Sequence, residues 1–166
     1  LSRRGLVPRS HAARPDAVLV AGSGAPAVLP QKTMVERGYQ GRIFQTHGIA
    51  SPQFLQIGGK DVEGTYFPTG PVVVARELPE SHPAQKVAMA FVEAYEDKHG
   101  RDSVTQFAGD AWGAYLLLDN AVRRALRDGK VQPGTPEFRS ALRDALEQTQ
   151  NLTVPNGVLN LSADDH

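Results

Sequence analysis

The chain has 166 residues, 40% of them hydrophobic, and its 18 Lys plus Arg balance its 18 Asp plus Glu. That length supports one ordinary core, and a formal charge of zero gives no electrostatic basis for binding nucleic acid or an anionic membrane surface. Cysteine is absent, which excludes disulfides, cysteine nucleophiles and thiolate metal sites, and no apolar run approaches the length of a membrane span.

In chain order, Leu6-Val7-Pro8-Arg9-Ser10-His11 resembles the thrombin-site linker of expression vectors, without the glycine that normally stands between the arginine and the serine. Residues 1–11 are therefore read as a tag remnant and kept out of fold reasoning. Ala17-Val18-Leu19-Val20-Ala21 is a short apolar run bounded by glycine, as expected of a strand covered on both faces. Gly22-Ser23-Gly24 follows at once, free to turn sharply and to let a ligand approach the backbone. Pro26 suits the first turn of a helix that Gly38 ends, and Arg42-Ile43-Phe44-Gln45-Thr46 forms the next strand. This order sets the Gly22-Ser23-Gly24 turn beside His47 at one edge of a parallel sheet, where open α/β folds bind ligands.

Further on, Ser51 and Pro52 open a short helix carrying Phe54, Leu55 and Ile57, closed by Gly58-Gly59. Val62 to Phe67 and Val72-Val73-Val74 read as extended, and the Pro68-Thr69-Gly70-Pro71 break between them suits a crossing between lobes. Ser81 is placed to cap a helix from Pro83 with Val87, Phe91 and Tyr95 on one stripe and Gly100 at its end. A second helix spans Val104 to Asp128, with Trp112, Tyr115, Leu116, Val122 and Leu126 as its buried side. A third follows Thr135-Pro136 with Phe138, Leu142 and Leu146 on one stripe. Asn156-Gly157 then turns into an extended piece, Val158 to Leu161. Consecutive helices with so few strands have no sheet of their own to cover, so the chain reads as part of a larger protein.

The chemistry-bearing residues are few. Gly22-Ser23-Gly24-Ala25-Pro26-Ala27 matches the G-x-G-x-x-A form of the dinucleotide fingerprint. Such a site expects an acidic residue about 20 positions on to hold the ribose. Phe44-Gln45-Thr46-His47 stands there instead, without a carboxylate. A dinucleotide-binding enzyme remains the alternative from a different class; the plainer reading is that the glycines only make a turn. Gly22-Ser23-Gly24 also lacks the G-x-S-x-G form of a nucleophile elbow. His82, His99 and His166 show no metal-ligand spacing, and no cofactor is expected. Taken alone, His47 suits a hydrogen-bonded surface histidine, Thr46 suits satisfaction of local backbone groups, Phe107 and Trp112 suit core aromatics, and Asp110 suits a solvated face.

Taken together and in order, Pro15-Asp16-Ala17-Val18, Gly22-Ser23-Gly24-Ala25-Pro26-Ala27, Glu36-Arg37-Gly38-Tyr39, Gln45-Thr46-His47-Gly48 and Gly59-Lys60-Asp61-Val62-Glu63-Gly64 resemble the C-terminal half of a type I periplasmic solute-binding protein of an ABC importer. The chain is similar, more narrowly, to the branched-chain amino acid group and its relatives that bind aromatic carboxylates. The resemblance covers residues 12–166 and implies an α/β fold with two lobes, each a parallel sheet flanked by helices, of which the N-terminal lobe is incomplete here. It assigns residues 12–68 to the C-terminal lobe, 69–75 to the hinge crossing, and 76–166 to helices of the N-terminal lobe and a return segment.

By the same resemblance, Ser23 and Gly24 fall where family members touch the ligand from the C-terminal lobe. Thr46 and His47 end the next strand, and Phe107 opens a helix that approaches the cleft. Typical branched-chain amino acid binders carry an acid where His47 stands. A carboxylate there pairs with a ligand ammonium, whereas a protonated histidine does not and a neutral one is only a weak acceptor. The change favours a small carboxylate without an amino group, such as an aromatic acid. The resemblance implies a non-enzymatic, extracytoplasmic protein that captures an amino acid or other small carboxylate and delivers it to an ABC permease in the membrane. A ligand-sensing receptor domain on the same fold is a further alternative. Two explanations for the faces left open by the missing part of the lobe stand side by side: a homodimer formed by helix exchange, or a chain that is a proteolytic or partial remainder of a longer protein.

Overall fold

A computed structural model describes residues 15–165, so the tag-like stretch at residues 6–11 lies outside the described residues. The chain divides into two compact units between Thr69 and Gly70.

The first unit is built from β1 (Ala17–Val20), α1 (Val28–Glu36), β2 (Arg42–Gln45) and α2 (Pro52–Gly58). The strands pair in parallel, from Ala17 opposite Arg42 to Val20 opposite Gln45, and Phe44 makes a further parallel bridge to Tyr66. Pro26 lies in a single 3-10 turn, Ala25–Ala27, that leads into α1, where its missing N–H costs no helical bond. Ala27, Val28, Ile49, Phe54 and Val62 form the core beneath the sheet.

The expectation of a strand covered on both faces is corrected here. Ile43 and Gln45 are buried, while Leu19 is 66% exposed and Phe44 and Tyr66 are also exposed. Alternation along the strands sends these two sets to opposite faces, and Gln45 meets α1 on the covered one. The extended reading of Val62 to Phe67 narrows to the bridge at Tyr66, because Val62 closes a 3-10 turn over Gly59–Val62.

The second unit contains α3 (Gln85–His99), α4 (Gln106–Leu126), α5 (Pro136–Glu147) and an antiparallel hairpin of β3 (Leu152–Val154) and β4 (Gly157–Leu159). Thr105 caps α4 by accepting the Ala108 N–H at 3.1 Å, and Thr135 caps α5 by accepting the Phe138 N–H at 3.2 Å. Arg124 closes the far end of α5 by donating to the carbonyls of Ala145 at 3.0 Å and Gln148 at 3.2 Å.

Three expectations change in this unit. Val72-Val73-Val74 is not extended but lies within a 3-10 stretch, Pro71–Glu77. Among the described residues the β-branched run has no strand beside it, and two short turns that meet in a kink at Val74 bring Val72 and Ala75 into a core with Ala88, Phe91 and Val92. Ser81 does not cap α3, which begins later, at Gln85; His82 Nδ1 instead accepts the Ala84 N–H at 3.2 Å. On α4 the buried positions are Gly109, Gly113 and Ala121, whereas Trp112 is 40% and Tyr115 56% exposed. A β-carbon on Gly109 would come within 2.7 Å of Val72 Cγ1, so α4 packs there through bare backbone, while Trp112, partly exposed, lays its ring 5.8 Å from that of Phe91.

Candidate functional site

The candidate site is the mouth formed by the loops that leave β1 and β2. Because the strands are parallel and in register, both loops emerge from the same edge. Three bonds stitch them together. The Gly24 N–H donates to the Gly48 carbonyl at 2.9 Å, the Ser23 hydroxyl donates to the same oxygen at 3.2 Å, and the Thr46 hydroxyl donates to the Gly22 carbonyl at 2.9 Å. Gly24 has φ +58° and ψ −154°, a conformation open to glycine at little cost.

The arrangement brings Ser23, Gly24, Thr46 and His47 together at one edge. Thr46 satisfies a backbone group, as its plainer sequence reading has it. With their protons given to carbonyls, the Ser23 and Thr46 hydroxyl oxygens face any further partner as acceptors. His47 is exposed and opens a 3-10 turn, His47–Ile49, in which its carbonyl accepts the Ala50 N–H at 2.9 Å. Beside it Leu19, Phe44, Tyr66, Phe67 and Pro68 border an open, mainly apolar hollow, with the Phe44 and Tyr66 rings stacked at 5.3 Å. Phe107 belongs to the second unit, exposed on the first turn of α4. Asp110 and Trp112 lie on the same helix, and Asp110 accepts a hydrogen bond from the Asn156 amide.

Sequence reasoning missed a buried polar relay behind the mouth. Gln45 and Gln31 are each 1% exposed. The Gln45 amide donates to the Ala27 carbonyl at 3.2 Å and to Gln31 Oε1 at 3.0 Å. Gln31 in turn donates to the Asp61 carbonyl at 2.9 Å and to Thr65 Oγ1 at 2.6 Å, and the Thr65 hydroxyl donates to the Val62 carbonyl at 2.6 Å. The signal was present in the strand, where Ile43 and Gln45 share the inward face, so a polar residue stands at a core position. Close by, the Lys32 ammonium sits 2.8 Å from Asp61, whose hydrogen bond raises the amine's pKa.

Among the described residues no group of three or more His, Asp or Glu side chains is placed to hold a metal ion. No helix among them is long and apolar enough to cross a membrane. The dinucleotide fingerprint gains no acidic partner from the fold, since β2 ends in Gln45 and continues into Thr46 and His47.

A family profile for periplasmic binding proteins matches residues 4–166. The chain is similar to an extracellular ligand-binding receptor from Rhodopseudomonas palustris, with 43% identity and a TM-score of 0.93, over 99% of this chain and 45% of that one. It shares its fold with the leucine binding protein LivK from Thermotoga maritima, at 24% identity and a TM-score of 0.75, over 99% of this chain and 42% of that one. It also shares the fold of a fatty acid ABC transporter substrate-binding protein from Thermomonospora curvata, at 18% identity and a TM-score of 0.74, over 95% of this chain and 38% of that one. No curated protein matches the chain. The chain thus spans less than half the length of these solved proteins.

Proposed function

The chain belongs to the periplasmic binding protein family, and from that premise we propose that it binds a small carboxylate as part of an extracytoplasmic solute-binding component of an ABC importer. The observation that carries this reading is His47, exposed at the end of β2 beside loops held together by Ser23, Gly24 and Thr46. An imidazole there offers an N–H donor to a carboxylate and no anion to an ammonium, which favours an aromatic acid over a branched-chain amino acid. In this reading His47 binds the carboxylate and Gly24 admits the ligand close to the backbone. Ser23 accepts a ligand donor, Thr46 holds the loop, and Phe107 is a candidate contact for the apolar part.

In this reading residues 12–68 belong to the C-terminal lobe, 69–75 to the crossing and 76–166 to helices of the other lobe with a return segment. Ligand capture shifts the whole protein toward a closed form by binding that form more tightly, and the permease responds to the closed form. A second reading, as the sensing domain of a receptor, is favoured by the description of the Rhodopseudomonas palustris structure as a ligand-binding receptor. Stimulation of ATP-driven uptake by a reconstituted permease supports the importer; its absence, with ligand binding intact, supports the sensor.

Native mass spectrometry of the purified chain, mixed with benzoate or L-leucine, tests the ligand class. Retention of benzoate in preference to leucine is the expected result, and leucine preference contradicts it. The same spectra report the proposed helix-exchanged homodimer, which a strictly monomeric mass rules out.

A further inference from the structure

We propose that the buried Gln45–Gln31 amide pair is a positioning device that sets the spacing of the two mouth loops and, through it, the affinity of the site. This rests on the carboxylate-binding reading above. Gln45 is the last residue of β2 and stands two places before His47, so whatever fixes its side chain fixes the start of the second loop. Its amide reaches the Ala27 carbonyl at 3.2 Å, at the end of the turn that follows Gly24. The first loop is thereby held at two points: Gly24 and Ser23 on Gly48 at the mouth, and Ala27 on Gln45 behind it.

The second amide proton of Gln45 goes to Gln31 Oε1 at 3.0 Å, and Gln31 passes the connection to Thr65 at 2.6 Å and Asp61 at 2.9 Å. The relay runs in one direction and uses both N–H groups of both amides. It ties the end of β2, the first loop, α1 and the segment leading to Tyr66 to one another at hydrogen-bond distances. Apolar side chains of the same size would fill this volume but fix no distance, because the hydrophobic effect has no direction. Stability alone does not account for the pair, since among the described residues no donor reaches Gln45 Oε1. The Gln45–Gln31 bond itself joins two partners whose joint replacement by apolar groups is close to neutral for stability, whereas their further bonds hold the Ala27 and Asp61 carbonyls in place. What the amides add is geometry, delivered next to His47.

The test compares Gln45→Met, Gln31→Met and the double variant by thermal melting, amide hydrogen exchange and benzoate titration followed by NMR. Exchange at the Gly24 N–H, which bonds Gly48, is set against exchange at the Tyr66 N–H, which bonds Ile43 within the sheet. A positioning role predicts that Gln45→Met speeds Gly24 exchange about tenfold while Tyr66 is unchanged, and that benzoate affinity falls about tenfold. The double variant also leaves the Ala27 and Asp61 carbonyls without their amide donors, and it keeps the fast Gly24 exchange and the weakened affinity. Return of Gly24 protection in the double variant overturns the proposal, because the pair then only fills the core. Thr65→Val, which removes the far acceptor without touching the mouth, provides a milder check: faster Gly24 exchange in a folded chain supports the relay, and unchanged exchange opposes it. Failure of the wild-type chain to bind benzoate or leucine counts against the carboxylate reading and, with it, the affinity half of the proposal, while the exchange ratio separately judges the loop spacing.

Discussion

A β-carbon placed on Gly48 would stand 2.5 Å from the carbonyl oxygen of Gly22, so the two mouth loops meet at a contact that bare backbone alone permits. The same β-carbon would lie 3.1 Å from Ser23 Cα. Gly48→Ala therefore pushes the loops apart at backbone atoms, which have no rotamer to yield. The expected cost is about 1–3 kcal/mol of stability, as for overpacking elsewhere. Urea denaturation measures it, and a variant as stable as the wild type would show that the loops part freely.

His47→Asp exchanges an imidazole for an anionic group at the end of β2. The expected outcome is a fall in benzoate affinity of about tenfold or more and a shift of preference toward L-leucine, whose ammonium the new carboxylate can pair. Isothermal titration calorimetry with both ligands checks it. Equal loss of both ligands would mean that His47 shapes the mouth and does not select by charge.

The two faces of the sheet differ in what they contribute to stability in this chain. Phe54, 1% exposed in the first core, is expected to cost about 3–5 kcal/mol on replacement by alanine. Leu19 is 66% exposed, and Leu19→Ser is expected to change stability by about 0.5 kcal/mol or less. Parallel denaturant melts give both values, and a large loss for Leu19→Ser would mean that its face is covered in solution.

Glu96 makes part of the second unit sensitive to acid. The Arg76 guanidinium holds its carboxyl below the usual glutamate range, with bonds of 2.5 and 3.3 Å, against the opposing effect of burial; the Asp102 N–H adds a bond at 3.1 Å. Since the folded carboxyl titrates below its unfolded value, the stabilisation is full above the unfolded value. It fades as pH falls from there through the lower, folded value. Thermal melts of wild type and Glu96→Gln between neutral and acid pH are expected to converge on acidification. A constant difference across that range would remove Glu96 from the acid response.

Much of the mouth was legible in the sequence because it depends on local chemistry. Gly22-Ser23-Gly24 after an apolar run, and Thr46-His47-Gly48 after the next, announce two turns that a parallel pair must bring to one edge. Tertiary choices were less legible. The valines at 72–74 read as a strand by propensity, yet with no strand beside them among the described residues they coil so that Val72 and Ala75 reach one core. Trp112 and Tyr115 read as buried by size, yet Gly109 and Gly113 form the contact face because small residues let a helix approach. Gln31 carried no signal in the sequence and Gln45 stood only as a strand position, and only the facing of α1 on β2 makes them partners.

The central claim is that the mouth at Ser23, Gly24, Thr46 and His47 binds a small carboxylate. The most direct measurement is a titration of the isotopically labelled chain with benzoate, followed through its backbone amides by NMR. The expected result is saturable shifts concentrated at Gly24, Thr46, His47 and Gly48 and weakened by His47→Asp. Saturable shifts that leave these four amides still and move others would contradict it.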